Sequence, residues 1–358
     1  MTKQLRTFEE FRDLLAAYRL PRVIFTALEL DLFTTMGSPT WAVGDLARKL
    51  DVSERGLRIL CRNLAMAGLL IKQGECYRTG KLAATLLNAS HPDYRGHYLG
   101  LLKNHWSDWS RLGESVKTGR PLDHDQPEAP GYRRSFTWAM HHRTLEVAPK
   151  IAAQLPLHGV KTLLDLGGGP GTYAMAFLAR NSGLKATVCD RPAALEVAKE
   201  IAATHKAGAR LSYLPLDLLA EDIPGSYDAV WYSNVLHIYS PAQNLALFHR
   251  VRAAVNPGGR FMIQDAFLHD REGLFPQEAT LFAVTMLLFT ETGDTYSVAD
   301  TSGWLKKAGF GRITMRRMKK GTEDWEGGIL EAMVPGAPAQ TNNRRPGSRG
   351  NYRGRSHR

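Results

Sequence analysis

Apolar residues along this chain follow two different periods. Through residues 10–90 they recur every three or four positions, beginning with EFRDLLAAYRLPRVIFTALELDLF, and this spacing predicts short amphipathic helices. Within that stretch, WAVGDLARKLDVSERGLRILCRNLAMAGLLIKQGECYRTGKLAATLL predicts a helix, a turn from Asp51 to Ser53, a second helix capped by Ser53, and two short strands joined near Gly74. That order is a winged helix-turn-helix. Residues 91–155 keep the helical period, with a Gly- and Pro-containing loop over 118–131.

Beyond residue 160 the pattern changes to short, nearly continuous apolar runs at 161–166, 185–190, 210–215, 227–233 and 260–266, separated by stretches of helix length. Apolar strands that alternate with helices predict an α/β fold, a parallel sheet covered on both faces. Two further runs, 312–318 and 327–334, are separated by a short connection and predict an antiparallel hairpin at the sheet edge. After Pro335 the apolar period stops and Pro, Gly, Asn and Arg dominate, which predicts disorder. The expected divisions are 1–90, 91–155, 156–334 and a basic tail, 335–358.

Charge changes this picture little. The net charge of +11 would raise the question of a nucleic-acid partner, but residues 341–358 hold six arginines and no acid, so the rest carries 40 basic against 35 acidic residues. Arg55, Arg58 and Arg62 form a stripe on the second predicted helix, as a DNA-reading helix would. A solvated face opposite Leu57, Leu60 and Leu64 explains the stripe as well, and that reading is preferred. No apolar run approaches the roughly 18 residues of a membrane span. The N-terminus lacks a signal-peptide pattern, so a cytoplasmic location without membrane attachment is expected. Cys61, Cys76 and Cys189 show no C-x-x-C spacing, and neither a metal site nor disulfides are expected.

The candidate chemistry gathers at strand ends. LLDLGGGPG, residues 163–171, is a strand entering a glycine turn that opens a helix. Gly167, Gly169 and Gly171 let the backbone approach a nucleotide-like ligand, and the helix start offers unpaired N–H groups. Asp190 ends the next strand, where a carboxylate can accept from ribose hydroxyls; Asp165 precedes the turn and suits a cationic amino-acid moiety. The G-x-G-x-G spacing departs from the G-x-G-x-x-G of dinucleotide enzymes. Asp217 follows the third strand on the adenine side. His237 ends the fourth, fixed by Ser240, Pro241 and Gln243 as N-cap, first-turn proline and capping-box partner. Trp106, Trp109, Phe136, Trp138, Met140, His141 and His142 suit either a core or a pocket for a flat apolar ligand.

These residues resemble the small-molecule O-methyltransferase family, which includes the plant caffeic acid enzymes, animal hydroxyindole O-methyltransferase and bacterial enzymes of secondary metabolism. The resemblance runs from about residue 10 to 334. It implies a Rossmann-like class I methyltransferase sheet behind a winged-helix-like domain that forms a homodimer and does not bind DNA. S-adenosyl-L-methionine is the implied cofactor, held by Asp165, Gly167, Gly169, Gly171, Asp190, Arg191, Asp217, Leu218 and Ser233. His237 is then the catalytic histidine and Asp265 the acid that orients it, with Phe136, Met140 and Met286 at the substrate pocket and Trp106 and Trp109 as further candidates. Where plant members carry a lysine this chain has Ser233. A second supporting glutamate falls at Thr295, with Glu291 and Asp294 nearby.

The expected reaction is methylation of a hydroxyl on a small aromatic or polycyclic metabolite. A phenol, of pKa about 10, needs a base, and an imidazole of about 6.5 serves. Carbon or nitrogen methylation, a non-transfer reaction with bound S-adenosylmethionine, a scaffold without turnover, and a nucleic-acid methyltransferase or DNA-binding regulator remain as alternatives.

Overall fold

A computed structural model describes residues 4–123, 130–155, 157–319 and 328–336. The first part runs α1 (Phe8–Ala16), α2 (Arg19–Glu29), α3 (Leu32–Met36), β1 (Trp41–Ala42), α4 (Val43–Leu50), α5 (Glu54–Met66), β2 (Leu70–Gln73), β3 (Cys76–Thr79) and α6 (Lys81–Leu86). Asp51, with a left-handed φ of 53°, ends α4, and the Ser53 hydroxyl accepts from Gly56 N to start α5. The two helices and the hairpin enclose Leu46, Leu57, Leu64 and Tyr77 in one apolar cluster, and β1 adds a third strand beside β3. Arg58, the middle of the arginine stripe, is paired with Glu54 and Glu75, so the stripe is not a continuous cationic surface.

Four helices follow: α7 (Gly96–Ser110), α8 (Leu112–Thr118), α9 (Pro130–Thr144) and α10 (Ala148–Gln154). The remainder is β4 (Thr162–Leu166), α11 (Thr172–Arg180), β5 (Lys185–Asp190), α12 (Pro192–Ala203), β6 (Leu211–Pro215), β7 (Tyr227–Ser233), α13 (Pro241–Ala254), β8 (Val255–Gln264), α14 (Gln277–Phe289), α15 (Val298–Lys307), β9 (Gly311–Arg316) and β10 (Ile329–Met333). The sheet order is β6-β5-β4-β7-β8-β10-β9, parallel from β6 to β8, with β10 antiparallel to both its neighbours. Consecutive side chains go to opposite faces: Trp231 joins one apolar cluster and Tyr232 the other, both fully buried. This two-sided burial explains the unbroken apolar strand patterns.

One detail differs from the sequence reading. β8 begins at Val255 and not near 260, because the turn-like Asn-Pro-Gly-Gly stretch is drawn into pairing, with a register shift against β7. The antiparallel edge pair is formed as expected, with β9 outermost and β10 between it and β8, where Ile329 to Ala332 are buried. The predicted disorder of the tail falls on residues 337–358, which lie outside the described ones. Among the described residues no helix is long and apolar enough to cross a membrane.

α9 packs on α7 through an imidazole cluster. His97 stacks on Trp138 at 5.8 Å, and the ring centroids of His141 and His142 lie 6.1 Å apart. Burial first, then neighbouring cations, pushes His141 and His142 down to about 4; Arg95 acts on both, His205 on His141 and His97 on His142. The folded rings therefore stay neutral where unfolded imidazoles, with a pKa of about 6.5, take up protons. With more protons on the unfolded chain, stability is full above about pH 7 and falls as pH drops toward 4, by on the order of 1–2 kcal/mol per ring between pH 7 and 5. Asp165, raised to about 7 by burial, acts in the opposite direction. Denaturant titrations of the native chain and of His142→Phe at the two pH values separate these contributions. The variant is expected to lose visibly less stability on acidification, and identical losses would refute the assignment.

Candidate active site

The chain passes from β4 to β5 and β6 on one side and then returns to β7 on the other, so the crevice of this sheet opens at the carboxyl ends of β4, β5 and β7. The glycine turn lies there. Gly167, Gly169 and Gly171 have φ of 67°, 49° and 69°, conformations that side-chain-bearing residues rarely adopt. A Cβ at Gly167 would lie 2.7 Å from Val235, and one at Gly168 2.6 Å from the Asp165 carboxyl carbon. Asp165, only 2% exposed, accepts from Ala174 N at 3.2 Å. It braces the turn and the start of α11 from beneath.

Asp190 accepts from Gly169 N at 2.8 Å and from Arg191 N at 2.7 Å. Burial raises its pKa and these two N–H groups oppose that rise. Asp217 is exposed and accepts from Leu219 N at 2.9 Å, while Leu218 turns inward and approaches the Gly167 position. One rim thus joins a carboxylate, a glycine cradle and the apolar side chains of Leu218 and Val235.

His237 lies in a short 3-10 turn, Leu236–Ile238, after β7. Its Nδ1 is 2.7 Å from Asp265 Oδ1, and the two residues are 6% and 2% exposed. With a carboxylate as partner Nδ1 donates, which leaves Nε2 as the acceptor. Asp265 Oδ1 also accepts from Ala266 N, whereas Oδ2 is buried without a hydrogen-bond partner. The backbone around the imidazole is pinned on two sides. Asn244 Nδ2 donates to Leu236 O and Tyr239 O, both at 2.9 Å, and Asp294 N donates to His237 O at 3.0 Å. A Cβ at Gly293 would fall 2.3 Å from His237 O. The Ser240–Gln243 capping box is formed, with Pro241 in the first turn of α13.

The neighbouring helices bring apolar groups. Phe282 of α14 sets its ring perpendicular to His237 at 4.7 Å, and Met286, one turn later, is buried. Phe136 and Met140 are half-buried on α9. Trp106 packs against Tyr18 and Phe25 with Arg22 over its ring, so it ties α7 to α2, and Trp109 is exposed on the same helix. Amphipathic spacing indicated an inward side for α7 without saying which neighbour would meet it. Ser233 accepts from Asn234 Nδ2 at 3.0 Å. Asp294 holds the histidine backbone while its carboxylate accepts from Thr295 N, Glu291 is exposed and Thr295 is buried.

Sequence reasoning missed Phe282, Asn244 and the buried Gln264–Tyr173 bond of 3.1 Å that joins the end of β8 to α11. The α14 run LFAVTMLLF is apolar all round, which hides the one ring that meets the imidazole. Among the described residues no group of His, Cys, Asp or Glu is arranged to hold a metal ion.

Comparisons with known proteins give the family. Residues 116–311 match the O-methyltransferase domain and residues 12–89 the O-methyltransferase dimerisation domain. The chain is 27% identical over 325 residues to 3-hydroxy-5-methyl-1-naphthoate 3-O-methyltransferase of Streptomyces sahachiroi, covering 88% of this chain and 94% of that protein. An O-methyltransferase family protein from Burkholderia thailandensis superposes with a TM-score of 0.82 at 23% identity, over 93% of this chain and 99% of that one. Human N-acetylserotonin methyltransferase in complex with S-adenosylmethionine gives 0.79 at 20% identity, over 94% and 99%. At these identities the two structures speak for the fold alone. The matched domain spans more than half of the sequence, and the chain belongs to the O-methyltransferase family.

Proposed function

We propose that this enzyme transfers the methyl group of S-adenosylmethionine to a phenolic hydroxyl of a small aromatic or polycyclic metabolite, with His237 as general base. The observation that carries the reading is the buried His237–Asp265 pair beside the glycine turn. The residues at the rim fit the cofactor. Asp190 keeps acceptor capacity for ribose hydroxyls beyond the two backbone N–H groups it holds, Leu218 and Val235 offer an apolar wall, and Asp217 is exposed beside them. Asp165 accepts from Ala174 N and braces the turn that would receive the cofactor.

When bound, S-adenosylmethionine supplies a sulfonium methyl group open to attack by an oxygen nucleophile. His237 Nε2 takes the acceptor's hydroxyl proton, and Asp265 holds Nδ1 so that the imidazole presents the correct nitrogen. Asp265 also stabilises the imidazolium that results. Phe282 sets an apolar ring against the imidazole, and Met286 is buried one turn further along the same helix; apolar groups of this kind would keep water from the hydroxyl. Phe136 and Met140 lie on the helix that would cover a flat ring. Naphthoate as the acceptor of the Streptomyces relative supports an aromatic ring of this size.

The exposed α1 supports a homodimer. None of its residues is buried, and Phe8, Leu14 and Leu15 are 78%, 58% and 59% exposed. Apolar side chains in that number on one short helix call for a partner surface, and a second copy, joined through the dimerisation domain, supplies it.

Three outcomes follow. With methyl-labelled S-adenosylmethionine and a panel of hydroxylated naphthoates, His237→Ala lowers turnover by about 10²-fold or more with cofactor affinity unchanged, and full turnover in the variant would end the general-base reading. Asp190→Ala weakens S-adenosylhomocysteine binding in calorimetry by about tenfold, as expected for the loss of a charge-assisted bond to ribose, and unaltered affinity would remove Asp190 from the site. In light scattering, Phe8→Asp combined with Leu15→Asp shifts a dimer mass to that of a monomer, whereas a dimer that persists would place the interface elsewhere.

A further inference from the structure

The mechanism leaves one well-formed polar contact without a role. His141 of α9 and Thr172 of α11 share a hydrogen bond of 2.8 Å between Nδ1 and Oγ1. Thr172 is the first residue of α11, directly after the glycine turn, and it is buried. The N-cap, Gly171, has no side chain with which to cap the helix, so the hydroxyl of the next residue is an anchor point at this end. Asp165 braces the same helix start from below through Ala174 N, and His141 holds it from the α9 side.

We infer that His141 is a positioning residue for the cofactor: its bond to Thr172 fixes the glycine turn in the shape that receives the adenosyl group. The inference rests on the cofactor reading proposed above. The ring is itself held in place, because Trp138 meets it edge-on at 5.7 Å and His142 packs at 6.1 Å. Burial keeps the imidazole neutral, which suits a group beside a helix N-terminus, where a positive charge would be repelled by the aligned peptide dipoles. In either tautomer the bond restricts rotation of the threonine hydroxyl and ties α9 to the turn.

The other attachments of α9 give this bond its leverage. Trp138 packs against Met175 of α11 and against Val197, Ile201 and Ala202 of α12. Arg134 forms a two-point ion pair with Glu200 of α12 at 2.6 and 2.8 Å. α11 begins at the glycine turn and α12 begins beside Asp190, so α9 straps together the two helices that rise from the two cofactor-facing loops. Of these attachments the His141–Thr172 bond lies nearest the turn. It therefore governs the turn's geometry, while the ion pair and the Trp138 contacts hold the helix as a whole.

Calorimetric titration of the full-length chain with S-adenosylhomocysteine at neutral pH tests this. His141→Leu and Thr172→Val are each expected to weaken binding by about tenfold, and His141→Asn, whose amide can still reach the hydroxyl, to recover most of the loss. The His141→Leu/Thr172→Val double variant is expected to bind no more weakly than either single one, since both remove the same bond. Thr172→Val is nearly isosteric, so it keeps the test valid if the leucine variant folds poorly. Native-like affinity in both single variants, no recovery with asparagine, or additive losses in the double variant would overturn the inference. Failure of the native chain to bind S-adenosylhomocysteine would instead overturn the cofactor reading on which it rests.

Discussion

The bond between His237 and Asp265 depends on the register of two parallel strands. Ser233 and Gln264 are paired at the ends of β7 and β8. Asp265 is the next residue on one strand, and His237 follows four residues along on the other, after a left-handed turn at Asn234 with φ of 58°. A shift of one residue in this pairing would send Asp265 to the opposite face of the sheet and leave the imidazole without its acceptor. The buried side chains on both faces of β7, Trp231 and Tyr232 among them, fix that register. The site's chemistry is in this sense a product of the packing of the sheet.

The carboxylate is also incompletely compensated. One oxygen of Asp265 takes both hydrogen bonds and the other has none, in a place almost closed to water. An uncompensated charge in a buried site is costly, and a proton arriving on the imidazole relieves part of that cost by creating the opposite charge beside it. In the proposed mechanism, the same arrangement that burdens the resting fold would favour the ion pair formed as the acceptor loses its proton.

Much of this was legible in the sequence because it is written in short range. The glycine turn, the acid at the end of the following strand and the capped helix after His237 are each specified by a few adjacent residues. The strands could be read because burial on both faces leaves unbroken apolar runs. Other features depend on which distant surface meets a given helix. Trp106 packs on α2, and the same helical spacing would have served other neighbours as well. Phe282 was hidden in a helix apolar all round, and β10 entered the sheet inside β9 because pairing order is decided across the sheet. The bond between His141 and Thr172 joins residues 31 apart in a pattern that predicts nothing about either.

Phe282 and Met286 on α14 and Phe136 and Met140 on α9 are carried by helices outside the sheet, whereas the histidine and its carboxylate are carried by the sheet itself. The two sets can therefore diversify separately over evolutionary time. If the helices line the acceptor pocket as proposed, exchanges of side-chain volume on them would alter which ring is admitted and leave the register of β7 and β8 undisturbed. A scaffold divided in this way could pass through a succession of acceptors while its buried histidine–carboxylate pair stays in place.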